Sequence, residues 1–286
     1  MRVKNLSLKY IRTKFKLLSA ISKRKAAEQA FLLFTTPLSR VRKKLPDSFR
    51  QAQKLQFSFR GEKITGYRWN HPSDKKVLIL HGYQSSILNF EQYVRPLVKA
   101  GFEVLGFDAP AHGRSTGKRI TVLVYKDFIH YIHKHYGPVT NYVAHSLGGL
   151  ALSHYLEELP HDRSYRAVLI APATETTTAV EHLFSLLRLD DGVRQEFDRI
   201  IEREGRHPAS WFSVARACKQ IRAEVLWLQD REDRQTPFSD VEPIIRQQHP
   251  HIRFHLTSGL GHSQIYHDSH SRQAILDFLV VPPEKH

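Results

Sequence analysis

Three residue types that together can carry out acyl transfer follow one another along this chain: Ser146, Asp233 and His262. Ser146 stands in Ala144-His145-Ser146-Leu147-Gly148-Gly149, after an apolar run and before a helix-like segment. A serine at a tight strand-to-helix turn projects its hydroxyl away from the sheet, and small residues two before and two after it keep the turn free of clashes. The first of these positions is Ala144, one methyl larger than the glycine commonest there. On its own, Ser146 also reads as an ordinary helix N-cap. His262 lies in Ser258-Gly259-Leu260-Gly261-His262, beyond the last strand pattern. A loop histidine beside glycines can turn its ring toward a nucleophile, and imidazole is well matched to taking and returning a proton. Asp233 lies just past the apolar run Val225-Leu226-Trp227-Leu228, with Pro237 four residues on. A carboxylate there can accept the other N–H of the histidine and fix its tautomer. Asp230 and Glu232 are competitors of the same chemistry.

A hydrolase of this kind also needs donors for the oxyanion. His81-Gly82-Tyr83 follows the strand pattern Val77-Leu78-Ile79-Leu80. The backbone N–H of Tyr83 and that of Leu147, at the start of a helix, are the expected pair. A further segment, Phe107-Asp108-Ala109-Pro110-Ala111-His112-Gly113-Arg114-Ser115, completes the set.

With these motifs in the order Ser, Asp, His, residues 55–280 resemble the α/β-hydrolase superfamily, in its esterase- and lysophospholipase-like members. The Asp108–Ser115 segment resembles the family's D-x-P-G-H-G-x-S turn, with Ala111 in place of the usual glycine. The D-x-x-x-P spacing of the family selects Asp233. The resemblance implies that Asp108, His112 and Ser115 are scaffold and that His81 and His145 frame their motifs. It implies a serine hydrolase cleaving a carboxylic ester or related acyl bond through an acyl-enzyme. Two alternatives stay open: a membrane-surface lipid hydrolase or acyltransferase, and a hydrolase fold used only for binding. The chemistry requires no cofactor and no metal, and none is expected. His130 and His133 are read as a helix face, since no carboxylate or further motif joins them.

The elements that must position these residues follow from periodicity. Leu55–Phe59 and Ile64–Trp69 flank a hairpin turn at 60–63. Buried-strand patterns at 77–80, 102–107, 139–144, 167–171, 223–228 and 252–256 alternate with helical patterns at 89–100, 121–136, 147–159 and 271–279. This rhythm predicts an α/β fold, a mostly parallel central sheet with helices on both faces. Residues 172–222 break it with helix-like pieces and no clear strand, and read as a small helical cap over the site. Phe184, Leu187, Trp211 and Phe212 in that stretch are expected to pack the cap. The domain reading is a basic N-terminal helical arm and linker over 1–50, then a hydrolase domain over 51–286 with its cap insertion at 172–222.

Of 286 residues, 41% are hydrophobic and 25% charged, which fits a chain with a sizeable core. The one cysteine, Cys218, excludes an internal disulfide and a cysteine metal cluster, and its surroundings read as core. The net charge of +15 is uneven: the first 50 residues hold fourteen Lys/Arg against two acids. In residues 1–36, Leu6, Leu8, Ile11, Phe15, Leu18 and Ile21 recur near helical spacing among the bases. The apolar cluster Ala26–Phe34 is expected to pack on the hydrolase body, and residues 37–48 read as a linker. The arm is read as a docked helix, as a peripheral contact with an anionic membrane through residues 1–36, or, least favoured for want of a motif, as a nucleic-acid contact. No apolar run of membrane-spanning length occurs and no clean signal peptide opens the chain, so a cytoplasmic protein is expected, peripheral to the inner face of the membrane if the arm binds lipid.

Overall fold

The computed structural model describes residues 2–41 and 43–280, with side chains from Leu8 onward. Its strands are β1 (Gln53–Phe59), β2 (Glu62–Trp69), β3 (Lys76–Leu80), β4 (Glu103–Asp108), β5 (Asn141–His145), β6 (Arg166–Ile170), β7 (Glu224–Asp230) and β8 (Ile252–Thr257). Its α-helices are α1 (Arg2–Ile21), α2 (Lys23–Thr35), α3 (Asp47–Arg50), α4 (Glu91–Lys99), α5 (Val122–Tyr136), α6 (Leu147–Leu156), α7 (Thr176–Leu187), α8 (Asp191–Gly205), α9 (Val214–Ala217), α10 (Glu242–Arg246), α11 (Gly261–Gln264) and α12 (Ser269–Val280). They fall into two compact units: Pro37–Thr174 with the chain from Val214 onward, and residues up to Thr36 with Glu175–Ser213.

The larger unit is built on one eight-stranded sheet in the order β1-β2-β4-β3-β5-β6-β7-β8. β1 and β2 form the antiparallel hairpin, closed by Arg60 and Gly61 with φ of 52° and 79°. Two consecutive positive φ values give the turn whose twist suits a two-residue hairpin. β2 also runs antiparallel to β4, and every later pairing is parallel. The central strands are buried on both faces, which explains their unbroken apolar runs. Leu78, Leu80, Tyr142, Ala144, Leu169 and Trp227 enter one core layer. Val77, Ile79, Val143, Val168, Leu226 and Leu228 enter the other. Cys218 is buried in the first layer, and burial pushes its thiol up to about 12, so it packs as a small hydrophobe. Parallel order sends the carboxyl ends of β3, β5, β6, β7 and β8 to one edge, where the connecting loops can converge.

The smaller unit joins the arm to the irregular stretch. α1 and α2 are separated at Ser22, whose side chain caps α2 by accepting from Lys25 N–H at 3.2 Å. Ala26, Ala27 and Ala30 of α2 are fully buried, and small side chains there let α8 approach closely. Phe197 of α8 meets Phe31, Phe34 and Phe184 edge-on at 5.9, 5.9 and 5.2 Å between ring centroids. The partner of α2 is therefore α8, within the stretch 172–222 that the sequence sets apart as irregular. A polar anchor lies beside this core. Asp190 caps α8 by accepting from Gly192 and Val193 N–H, while its other oxygen accepts from Ser19 and Lys23, each at 2.7 Å. Phe184, Leu187 and Phe212 are buried and Trp211 is half-buried. Of the apolar repeat expected in the arm, the side chain of Leu6 lies outside the described residues.

Candidate active site

Ser146 sits between β5 and α6 with φ 53° and ψ −120°. A non-glycine residue in such a conformation costs about 1–3 kcal/mol and persists only where its surroundings impose it. Here Ser146 N–H donates to Ile170 O at 3.1 Å. Its carbonyl accepts from the N–H groups of Gly149, Leu150 and Ala173. β6 and the loop after it thus hold the turn from one side. From the other, a methyl on Gly148 would lie 2.8 Å from His81 O and 2.9 Å from Leu80 O, so only glycine lets α6 start this close to the end of β3. Ala144 is fully buried and is not among the residues of positive φ, so its position requires small size and not glycine.

His262 opens α11 beyond β8. Its Nδ1–H donates to Asp233 Oδ2 at 2.8 Å, which leaves Nε2 as the basic nitrogen. Asp233 is held in turn by Gln235 N–H (2.7 Å), Thr236 N–H (3.1 Å) and the Thr236 hydroxyl (2.7 Å). Burial works against its charge, but the His262 hydrogen bond and charge together with the Thr236 donors outweigh it. The carboxyl is held below its ordinary value. The competitor Asp230 has another task. It accepts from Thr257 Oγ1 at 2.8 Å and from Leu260 N–H at 3.0 Å, and so braces the loop that carries His262. Glu232 is exposed and donates its N–H to Asp230 Oδ1 at 3.0 Å.

Ser146 and His262 line one cavity of about 290 Å³, together with Tyr83, Gln84, Ser85, Asn89, His145, Gln235, Ser263 and Tyr266. Tyr83 belongs there because Gly82 packs directly on Ser146: a methyl on Gly82 would lie 2.9 Å from Ser146 Cβ and 2.8 Å from His145 Nδ1. Leu147 N–H belongs to the first turn of α6, where backbone donors lack partners within the helix. Tyr83 thus follows the glycine packed on Ser146, and Leu147 follows Ser146 itself.

The remaining motif residues form the frame. Asp108 accepts from the Ser86 hydroxyl (2.7 Å), Ile87 N–H (3.1 Å) and Arg114 N–H (2.8 Å). Ser115 Oγ donates to Asp108 O at 2.6 Å. His112 Nε2 accepts from Gln84 N–H at 3.1 Å, and His81 Nε2 accepts from Ala109 N–H at 3.0 Å. Burial keeps both rings neutral, pushing His81 down to about 4 and His112 to about 3. These residues tie the loop after β3 to the loop after β4. His145 is also buried and pushed down to about 3, by desolvation first and then by the neighbouring His262. Its Nε2–H donates to His262 O at 3.0 Å, so the residue before Ser146 holds the backbone of His262.

Several contacts were beyond sequence reasoning. Thr236 and Gln235 lie inside the Asp233–Pro237 spacing and could have been suspected from it. The segment read as a linker is irregular but pinned. Ser39 Oγ donates to Gln84 Oε1 (3.0 Å), Lys43 Nζ to Asn89 Oδ1 (3.0 Å), and the Arg40 guanidinium to the carbonyls of Ser115 and Gly117. No periodicity announces such contacts.

Solved structures share this fold. An esterase from Pyrococcus furiosus superposes with a TM-score of 0.61 at 21% identity, over 86% of this chain and 97% of its own. The chain is an α/β-hydrolase by fold. A monoacylglycerol lipase from Paleococcus ferrophilus matches the chain with a TM-score of 0.58 at 24% identity, over 76% of this chain and 98% of that one. The thioesterase domain from a curacin biosynthetic pathway matches with a TM-score of 0.59 at 16% identity, over 80% and 99%. In sequence, the family model described as serine aminopeptidase, S33, matches residues 71–203 of the chain. No curated protein matches the chain.

Proposed function

We propose that this hydrolase cleaves carboxylic esters, or closely related acyl bonds, through an acyl-enzyme on Ser146. The observation that carries the reading is the convergence on one cavity of a strained turn serine and a histidine whose Nδ1–H is bonded to a buried carboxylate. His262 Nε2 takes the Ser146 proton as Oγ attacks the carbonyl carbon. The N–H groups of Tyr83 and Leu147 receive the negative charge that develops on the carbonyl oxygen, a contribution of about 3 kcal/mol per donor in sites of this kind. His262 then returns the proton to the leaving alcohol. In the second half, water adds under the same base, and the acid leaves with Ser146 restored. Asp233 keeps the imidazole in the required tautomer throughout. The esterase, lipase and thioesterase activities named for the structural neighbours support acyl-bond hydrolysis as the class.

The cavity stands at the small end of ligand sites and is lined by Gln84, Ser85, Asn89, Gln235 and Ser263. Such a lining favours a short acyl group or a polar alcohol. A fluorophosphonate probe is expected to label the protein, and Ser146→Ala to abolish labelling. Turnover of p-nitrophenyl acetate should exceed that of the dodecanoate. Labelling retained by the alanine variant would overturn the nucleophile assignment. A wild-type protein with neither labelling nor turnover across an ester panel would make this a binding module.

A further inference from the structure

α1 carries two apolar stripes, and folding explains one of them. Leu8, Ile11, Phe15 and Leu18 recur every three or four residues; Phe15 is buried and the others are half-buried. That face docks the helix within its unit, with buried Ser19 bonded to Asp190 one turn on. The second stripe is Tyr10, Leu17 and Ile21. Seven and eleven residues span two and three helical turns, so at 100° per residue these side chains align within about 20°. They are 73%, 63% and 79% exposed. Lys14 lies about 40° to one side of the row, and Lys9 and Lys16 lie about 100–120° to the other; all three are exposed. No acidic residue precedes Glu28 in the chain.

Scattered exposed apolar side chains are ordinary. An aligned row of three, set among lysines on a helix about 30 Å long, has the makeup of a helix lying in a lipid interface. Charge selects the partner. A second copy of α1 would bring lysine against lysine. Nucleic acid would satisfy the lysines but leave Leu17 and Ile21 in water. An anionic bilayer satisfies both, with the apolar row at the acyl boundary and the ammonium groups at the headgroups. No helix among the described residues is long and apolar enough to cross a membrane, so the contact is one of lying on the surface.

We propose that the Tyr10–Leu17–Ile21 face of α1, with Lys9, Lys14 and Lys16, is the surface by which this protein lies on an anionic membrane. The inference is independent of the hydrolase reading, because lipid binding is scored without turnover and can be repeated on Ser146→Ala protein.

The test is co-sedimentation of the full chain with phosphatidylcholine vesicles containing about 30 mol% phosphatidylserine, against pure phosphatidylcholine. Binding to the anionic vesicles is expected to be at least about tenfold tighter and to weaken as salt rises. Tyr10→Ser, Leu17→Ser and Ile21→Ser together should lower it at least about tenfold, with circular dichroism and thermal unfolding unchanged, since these side chains face solvent. Lys9→Gln, Lys14→Gln and Lys16→Gln should each lower it about fivefold. Wild-type protein that stays in the supernatant with anionic vesicles overturns the proposal, as does a triple serine variant that binds like wild type. Tighter binding to a single-stranded RNA than to the vesicles, or a dimer in size-exclusion chromatography that the serine variant abolishes, would assign the face to nucleic acid or to a second copy instead.

Discussion

A methyl group at Gly82 would stand under 3 Å from both Ser146 Cβ and His145 Nδ1, and neither neighbour is the free end of a flexible chain. Gly82→Ala is therefore expected to fold but to displace the Tyr83 N–H from the oxyanion position. Displacements on the ångström scale cost about 10²-fold in rate, so kcat should fall by that order while circular dichroism stays unchanged. The two aspartates near His262 separate in the same way. Asp233→Asn removes the acceptor that fixes the tautomer and should lower kcat by about 10⁴-fold, as measured against a soluble ester. Asp230→Asn loosens the loop from Thr257 to Leu260 instead, and its effect should be read mainly in thermal unfolding. An outcome with Asp230→Asn the more damaging to kcat would reverse the assignment. Their pH behaviour follows from the carboxylates. Asp233 is held below its ordinary value, so its support of the folded site is complete above that value and is lost as pH falls through the lower, folded one. Ala111, noted in the sequence for replacing a glycine, has φ 68°, which gives the physical reason glycine is usual at that turn.

At the scale of elements, Asp190 connects three helices: it caps α8 and binds Ser19 of α1 and Lys23 of α2. Lys23 first, then Ser19, pull its carboxyl down to about 2. Because the folded value lies below the unfolded one, this anchor is complete above about pH 4 and is lost as the pH falls toward 2. The ion pair is half exposed and contributes little by itself. The lost cap is the larger effect, and Asp190→Ala should cost about 1 kcal/mol. Amide hydrogen exchange in α1 and the first turn of α8 should quicken in that variant, and in wild type between pH 4 and pH 2, while β3 and β5 keep their protection. Strand positions were legible because buried parallel strands read as continuous apolar runs bounded by turn residues. The arm was legible as helical from the near-helical spacing of its apolar residues, but not its partner. Ala26, Ala27 and Ala30 look unremarkable until α8 is seen against them.

For the whole molecule, the arm is a structural part of a unit and not an appendage. Removing residues 1–36 would uncover the contacts of Phe197 with Phe31 and Phe34. Exposing large apolar side chains costs roughly 1.5–3 kcal/mol each, so the truncated protein is expected to lose protection across Glu175–Ser213 and to bind a hydrophobic dye. A truncation that unfolds as sharply and at the same temperature as the full chain would contradict this. Truncation is accordingly a poor probe of membrane binding, and the exposed row Tyr10, Leu17 and Ile21 is the better place to intervene. The uneven charge, +12 of the total +15 within the first 50 residues, is the reason the proposed membrane contact is expected to weaken with salt.

The sequence alone determined the order of strands and helices, the hairpin, and the identity of Ser146, Asp233 and His262 as candidates. These rest on short-range signals: period, turn chemistry, and motifs confined to a few residues. Tertiary structure decided that Asp233 and not Asp230 meets His262, that His145 holds the backbone of His262, and that the segment at 39–43 is bound to the loops carrying Gln84, Asn89 and Ser115. It also paired α2 with α8, about 160 residues apart in the chain, an approach that no local pattern encodes. Hydrogen bonds and close packing depend on where backbones pass one another, and that is set only when the sheet has ordered its strands and both its faces are covered.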